Sequence, residues 1–184
     1  MSKVLVPLGK GFEEIEATAI VDVLRRAEIE VKICSIESDL LVEGANGITL
    51  KADCFLSDVD SKSYDMIVLP GGWDGTYALA DSELVQSTLK EFDRAGKKIG
   101  AICAAPFALN KAGVLKENYT CYPSVEEQIK KGNYSDKERV VRCENVITSR
   151  GPATAICFGL EIVKDLKGEE TYNALKAGLL ADFC

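Results

Sequence analysis

The stretch KIGAICAAPFALNKA, residues 98–112, changes character at Cys103. Residues 98–102 are mainly apolar, which is typical of a buried strand. Residues 104–112 predict a helix, and Gly113, directly after them, is the residue type that most often ends one. A strand that passes into a helix through a single residue is half of a βαβ unit, so this stretch predicts an α/β fold.

The rest of the chain repeats this alternation of strands and helices. Further strands are predicted over residues 3–8, 30–36, 64–69, 119–122, 139–143 and 146–149, with a small hairpin around Asn46-Gly47. Further helices are predicted over residues 13–27, 82–95, 123–131, 154–166 and 169–180. Such an order forms a mostly parallel sheet with helices on both faces, which binds ligands at the carboxyl ends of its strands. No linker or repeat interrupts residues 1–184, so we expect a single domain.

The composition excludes several classes of protein. The 184 residues carry 29 acidic and 22 basic side chains, a net charge of -7, so the chain repels phosphate backbones and we expect no nucleic-acid partner. No apolar run approaches the roughly 20 residues that cross a bilayer. The short apolar segment after Met1 predicts a first strand rather than a secretion signal. We therefore expect no membrane association and a cytoplasmic location.

The chain has seven cysteines and no histidine. Without histidine there is no Ser-His-Asp triad, no Cys-His dyad and no histidine metal site. The cysteines form no CxxC motif, so neither a zinc site nor a dithiol redox motif is predicted, and we expect no metal. Most of the cysteines are expected to pack as small buried hydrophobes in a reducing compartment.

Cys103 is the exception, because its strand-to-helix turn has the pattern of a nucleophile elbow. Such a turn brings strand and helix close together, so the residues two before and two after must be small, and here they are Ala101 and Ala105. The N-terminus of the following helix favours a thiolate. Settings of this kind lower the pKa of cysteine from about 8.5 to roughly 3.5–7.5. The alternative is a buried cysteine at a strand end, and spacing alone does not decide between the two.

A pair of glycines ends another predicted strand. Gly71 and Gly72 follow Pro70, and paired glycines allow a tight turn with exposed N–H groups. Together with the N–H of Ala104, these donors would form an oxyanion hole. Taken alone, the segment is better explained by a plain turn.

Glu16 lies on the helix face that also carries Ile20 and Leu24, which we assign to the core. A buried carboxylate there is unfavourable unless it is paired. Burial would raise the pKa of Glu16, and the protonated carboxyl would donate a hydrogen bond to a neighbouring thiolate. The alternative is that Glu16, like Glu13 and Glu14, interacts favourably with the helix dipole in a first turn.

Four motifs occur in a fixed order along the chain. They are KGFEEIE at residues 10–16, VLPGG at 68–72, AICAAP at 101–106 and TSRGPAT at 148–154. Together they resemble the ThiJ/PfpI superfamily, and within it the branch of the parkinsonism-associated deglycase and the bacterial ThiJ-type proteins. The resemblance covers nearly the whole chain. It implies a flavodoxin-like α/β sandwich, of the class I glutamine amidotransferase type, that forms a homodimer and needs no cofactor.

The resemblance also implies roles for individual residues. Cys103 is expected to be the nucleophile, with Glu16 as its protonated carboxyl partner. The N–H groups of Gly72 and Ala104 are expected to stabilise an oxyanion. Tyr122 stands where the family often has a histidine. Tyrosine titrates near about 10 and is a poor base at neutral pH, but it can orient a substrate or donate a hydrogen bond.

A second departure from the family concerns arginines. The related branch carries an arginine near Asn46 that serves an anion pocket at the dimer interface. Of that set, Arg150 remains here, with Arg26 as a second candidate. We therefore include Arg150 among the expected substrate-binding residues, the alternative being a solvated residue at a strand end.

The activities implied are conversion of methylglyoxal or glyoxal to the hydroxy acid, and repair of early glycation adducts on amines and thiols. The expected step is attack of the Cys103 thiolate on the aldehyde carbon of a small carbonyl substrate. A second hypothesis is a redox-sensing or chaperone-like protective protein without turnover, in which Cys103 stops at sulfinic acid stabilised by Glu16. A PfpI-type peptidase is the least supported, because such relatives are thought to need a cysteine–histidine pair.

Overall fold

The computed structural model describes residues 2–184. The strands are β1 (Lys3–Leu8), β2 (Glu30–Ser35), β3 (Leu41–Glu43), β4 (Thr49–Lys51), β5 (Cys54–Phe55), β6 (Met66–Leu69), β7 (Lys98–Ile102), β8 (Asn118–Tyr119), β9 (Asn133–Tyr134), β10 (Val140–Cys143) and β11 (Val146–Ser149). The helices are α1 (Glu14–Arg26), α2 (Trp73–Asp81), α3 (Glu83–Arg94), α4 (Pro106–Ala112), α5 (Glu126–Ile129), α6 (Ala155–Lys167) and α7 (Glu169–Gly178). Short 3-10 turns cover Leu56–Asp58, Ser61–Ser63 and Pro152–Thr154.

The central sheet has seven strands in the order β10-β11-β7-β6-β1-β2-β5. All neighbours in it are parallel except β10 and β11. The chain first builds outward from β1 through β2 to β5, and then returns to the other side of β1 with β6, β7 and β11. The order therefore reverses between β1 and β6, which is where ligand sites lie in sheets of this kind.

Helices cover the sheet on both faces. Helix α1 packs on α6, and α6 packs on α7, whereas α2, α3 and α4 contact one another. Because parallel connections are right-handed, helices that follow strands on opposite sides of the reversal lie on opposite faces. The predicted mostly parallel α/β sandwich is thereby confirmed.

Local sequence explains most of these elements. Ser82 caps α3 by accepting a hydrogen bond from the Val85 N–H at 3.3 Å. The same helix buries Val85, Leu89 and Phe92, which share one face at a helical spacing. The predicted hairpin around Asn46-Gly47 is confirmed as the antiparallel pair β3–β4.

The sequence did not predict α2, because Gly75 lies inside it and glycine disfavours helices. Packing explains the glycine: a Cβ added at Gly75 would lie 2.7 Å from the backbone nitrogen of Phe12. Tertiary contact therefore overrides local preference here.

Strand β9 was also not predicted, and β8 and α5 are shorter than expected.

Two cysteines depart from the expectation of buried hydrophobes. Cys157 and Cys184, separated by 27 residues, form a disulfide, because α7 returns along α6 and brings the last residue of the chain to the start of α6. Within residues 2–184 the other five cysteines are free. Sequence spacing gave no sign of this pairing.

Candidate functional site

The carboxyl ends of three neighbouring strands bring the predicted site residues together. Glu16 lies in the first turn of the helix that follows β1, Gly71 and Gly72 follow β6, and Cys103 follows β7. The three strands are adjacent and parallel, so their carboxyl ends meet. The site therefore lies beside the point where strand order reverses.

Cys103 occupies a strained backbone conformation. Its φ is 62°, in the left-handed region that non-glycine residues rarely adopt. The Cys103 N–H donates to the Ser149 carbonyl at 3.0 Å, and the Cys103 carbonyl accepts from the Tyr122 N–H at 2.9 Å. Ala101 and Ala105 are fully buried where strand and helix approach. Hydrogen bonds on both sides thus hold the turn in the elbow geometry expected from the sequence.

Glu16 is fully buried beside this turn. Its Oε2 accepts a hydrogen bond from the Gly71 N–H at 2.7 Å. Its Oε1 has no hydrogen-bond partner of good geometry among residues 2–184. Burial raises the pKa of Glu16 from 4.5 to about 7, although the Gly71 N–H and the Cys103 thiol oppose this shift. A carboxyl with such a pKa exchanges a proton around neutral pH.

The thiol of Cys103 differs from the sequence-based expectation. It is only 8% exposed, and burial raises its pKa; the charge of Glu16 raises it further, while the N–H groups of Gly72 and Ala104 lower it. The expected net lowering by the helix N-terminus was wrong, because it omitted burial and the adjacent carboxylate. The Glu16 carboxylate therefore raises the pKa of the Cys103 thiol, and the thiol lowers the pKa of Glu16.

Gly71 has a different role from the oxyanion donor that the sequence suggested, because its N–H donates to Glu16 Oε2. A Cβ added there would lie 2.7 Å from the Cys103 Cβ and 2.8 Å from Glu16 Oε2. The absence of a side chain at Gly71 therefore allows the thiol and the carboxyl to meet. Only the adjacency of two glycines in Pro70-Gly71-Gly72 pointed to this position.

Tyr122 is joined to the Cys103 turn through its backbone N–H, and Arg150 directly follows β11, the strand beside β7. The Tyr122 side chain is 44% exposed and covers Gly151, where an added Cβ would lie 3.2 Å from the ring. Arg150 is half-buried. Burial raises the pKa of Tyr134 and of Cys121, and the positive charge of Arg150 opposes both shifts.

Little of Cys103 is exposed. A cavity of about 1000 Å³ lies elsewhere, lined by residues around β9 and β10 together with Cys157 and Cys184. Cys103 is not among its lining residues. Because so little of Cys103 is exposed, the geometry suits a small molecule that presents one reactive carbon to the sulfur.

Within residues 2–184, no three or more His, Cys, Asp or Glu side chains lie together in a way that could hold a metal ion. Over the same range, each helix is too short or too polar to cross a bilayer.

Comparison with known sequences gives consistent similarities. The chain is 40% identical over 186 residues to Protein dj-1beta of Drosophila melanogaster, covering 100% of each chain. It is 38% identical over 164 residues to the glutathione-independent glyoxalase DJR-1.2 of Caenorhabditis elegans, covering 89% of this chain and 87% of the relative. It is 33% identical over 188 residues to the glutathione-independent glyoxalase DJ-1 of Schizosaccharomyces pombe, covering 97% and 98%.

The structural comparison agrees with the sequence comparison. The crystal structure of Drosophila melanogaster DJ-1beta matches with a TM-score of 0.94 at 40% identity, over 98% of each chain. The model of the DJ-1/PfpI family matches residues 2–165. The resemblance based on four motifs and the flavodoxin-like fold that it implied are confirmed. The chain belongs to the DJ-1/PfpI family.

Proposed function

We propose that this protein is a glutathione-independent glyoxalase that converts small dicarbonyls such as methylglyoxal to the hydroxy acid, with early glycation adducts as a related substrate class. The observation that carries the proposal is that a fully buried carboxyl, Glu16, and a thiol held on a strained turn, Cys103, both border Gly71, where an added Cβ would lie 2.8 Å from Glu16 Oε2 and 2.7 Å from the Cys103 Cβ. The names of the Caenorhabditis elegans and Schizosaccharomyces pombe relatives describe the same activity.

The reaction begins when the Cys103 sulfur attacks the aldehyde carbon. Glu16, with a pKa raised to about 7 by burial, accepts the thiol proton. The carbonyl oxygen becomes an oxyanion, which the N–H groups of Gly72 and Ala104 stabilise, since these groups already act on the sulfur. Glu16 then returns this proton to the oxygen, so the product is a neutral hemithioacetal and Glu16 is again able to act as a base.

The second stage moves a proton within the substrate. Glu16 takes the proton from the former aldehyde carbon and returns it to the neighbouring ketone carbon, while the hydroxyl proton passes to the former ketone oxygen, which yields a thioester of the hydroxy acid. One carbon is oxidised and the other is reduced, so no external oxidant or cofactor is required. Water then cleaves the thioester and regenerates the Cys103 thiol.

Tyr122 and Arg150 serve binding rather than proton transfer in this proposal. The exposed Tyr122 ring orients the substrate at the entrance, as a group that donates a hydrogen bond but is a poor base. Arg150, half-buried directly after β11, attracts the negative charge of the product carboxylate.

The test is lactate formation from methylglyoxal by the wild type and by Cys103→Ser. Loss of the nucleophile should lower the rate by at least about a thousandfold. Cys143→Ser is the matched control, because Cys143 is a free, half-buried cysteine on β10, and its rate should equal that of the wild type. Equal rates for Cys103→Ser and the wild type would refute the proposal.

The two alternative functions receive less support. A sensor without turnover is not favoured, because two close relatives are named as glyoxalases. A peptidase would need a Cys-His pair, and the sequence has no histidine.

A homodimer is also part of the proposal. Ile15, Leu41 and Ile48 are each more than half exposed. Glu14 connects the two elements that carry them, since its carboxylate accepts N–H groups from Asn46 and Ile48. Exposed apolar side chains on two connected elements support self-association, which sedimentation velocity would measure. The cytoplasmic location, the absence of a nucleic-acid partner and the single-domain organisation stay predictions.

A further inference from the structure

A second pair of sulfur atoms lies in the sheet, at its outer edge. Cys34 in β2 and Cys54 in β5 are direct partners in the parallel pairing of these strands, and their Sγ atoms are 3.7 Å apart. Strand β5 is the last strand of the sheet on this side, and it is only two residues long. The two thiols therefore face each other on adjacent strands.

Asp53 fixes the position of Cys54 relative to β2. Its backbone N–H donates to the Ile33 carbonyl at 2.9 Å, and its Oδ2 accepts from the Ile33 N–H at 2.9 Å. The same oxygen accepts from the Arg25 guanidinium at 3.2 Å. These three hydrogen bonds set the register in which the two sulfurs meet.

The distances are compatible with a covalent bond between the sulfurs. Adjacent strands lie roughly 4.8 Å apart, and disulfides join Cα atoms that are about 4.4–6.8 Å apart. Closing the gap between the sulfurs therefore needs side-chain rotation and a small shift of a short edge strand. Among the described residues no further strand pairs with the outer side of β5, which permits such a shift.

The two cysteines differ in accessibility. Cys34 is fully buried, whereas Cys54 is half-buried at the sheet edge. A small oxidant can reach Cys54 first, and Cys34 is then the nearest thiol. This arrangement provides one reactive and one resolving cysteine.

We propose that Cys34 and Cys54 form a redox site in which a peroxide converts the two thiols to an intramolecular disulfide. The Cys54 sulfur attacks the peroxide, the O–O bond breaks, and a sulfenic acid and one water form. The Cys34 sulfur then attacks the sulfenic sulfur, the S–O bond breaks, and a second water leaves. Both sulfurs are oxidised by one electron each, and hydrogen peroxide is reduced to two waters.

The experiment oxidises the fully reduced protein with limiting hydrogen peroxide, blocks remaining thiols with an alkylating reagent and maps peptides without reduction. The expected result is a cross-linked peptide pair containing Cys34 and Cys54, with the loss of two hydrogens, in the monomeric chain. Cys143→Ser is the control and should give the same cross-link, because Cys143 lies on β10 at the opposite edge of the sheet.

Single variants separate the two roles. In Cys34→Ala, Cys54 should stop at sulfenic acid, which dimedone traps; in Cys54→Ser, Cys34 should stay reduced. The proposal is overturned if Cys34 remains fully alkylatable after Cys54 has been oxidised, or if Cys54 links two chains instead. Cys103→Ser should give the same cross-link as the wild type. This result would show that the redox site can be tested independently of the glyoxalase proposal.

Discussion

Cys103 and Cys34 are both buried, and burial raises the pKa of both thiols, yet the chain around them differs. Cys103 lies beyond the end of β7 with a φ of 62°, and the N–H groups of Gly72 and Ala104 act on its sulfur. Cys34 lies inside β2, where the backbone pairs with neighbouring strands, and its sulfur faces that of Cys54. A turn supplies donors for an oxyanion, whereas a strand supplies only a second sulfur. The first suits carbonyl chemistry and the second suits bond formation between thiols.

The Cys103 site has a neighbouring buried carboxyl, Glu16, and the Cys34 site has none among residues 2–184. Glu16→Gln removes this difference and should have the largest effect on activity. Lactate formation from methylglyoxal should fall by roughly 10²–10⁴-fold, because the amide cannot carry the proton. Glu83→Gln is the control, since Glu83 also lies in a first helical turn but is exposed. A variant with the wild-type kcat would remove Glu16 from the mechanism.

Gly71→Ala tests whether the thiol and carboxyl must be in contact. The added methyl group would lie 2.7 Å from the Cys103 Cβ and 2.8 Å from Glu16 Oε2, so the two side chains must separate. We expect kcat/KM to fall by about 10²-fold, as for small displacements of reacting groups. Gly178→Ala is the control, because an added Cβ there has no neighbour within 4 Å among the described residues. Equal kinetics for both variants would contradict the assigned contact.

The stability of the fold should depend on pH through Glu16. Burial raises its pKa from 4.5 to about 7, so the folded state binds the proton more tightly than the unfolded chain. The stabilisation is complete below pH 4.5 and is lost as the pH rises through about 7. The difference corresponds to about 3 kcal/mol, measurable by urea unfolding at about pH 4.5 and about pH 8.

Glu16→Gln has no titrating group at this position and serves as the reference for that measurement. Its free energy of unfolding should change less over the same range. If the wild type and the variant followed the same pH dependence, the buried carboxyl would not be the source of the effect.

The smallest effect should come from Cys54→Ser. The pair Cys34–Cys54 lies at the outer edge of the sheet, with β1 and β2 between β5 and the strand that precedes the Gly71 turn. The variant should therefore keep the wild-type rate of lactate formation to within about twofold. A larger loss in a correctly folded variant would show that the two cysteine sites are coupled.

The order of elements and the position of the site were accessible from the sequence, because alternating apolar segments and the small residues around Cys103 report local requirements. Helix α2 was not, since Gly75 is favoured by contact with Phe12 rather than by helix preference. The raised pKa of Cys103 was also missed, because burial is produced by distant segments. For the same reason no spacing rule revealed the sulfurs of Cys34 and Cys54, which are 20 residues apart.

The left-handed backbone at Cys103 has a consequence for engineering. Glycine would adopt a φ of 62° without a steric penalty. Cys103→Gly would therefore relieve the backbone strain of the turn and remove the sulfur at the same time. A selection for heat-resistant variants would therefore favour substitution of Cys103, and the selected protein would be inactive.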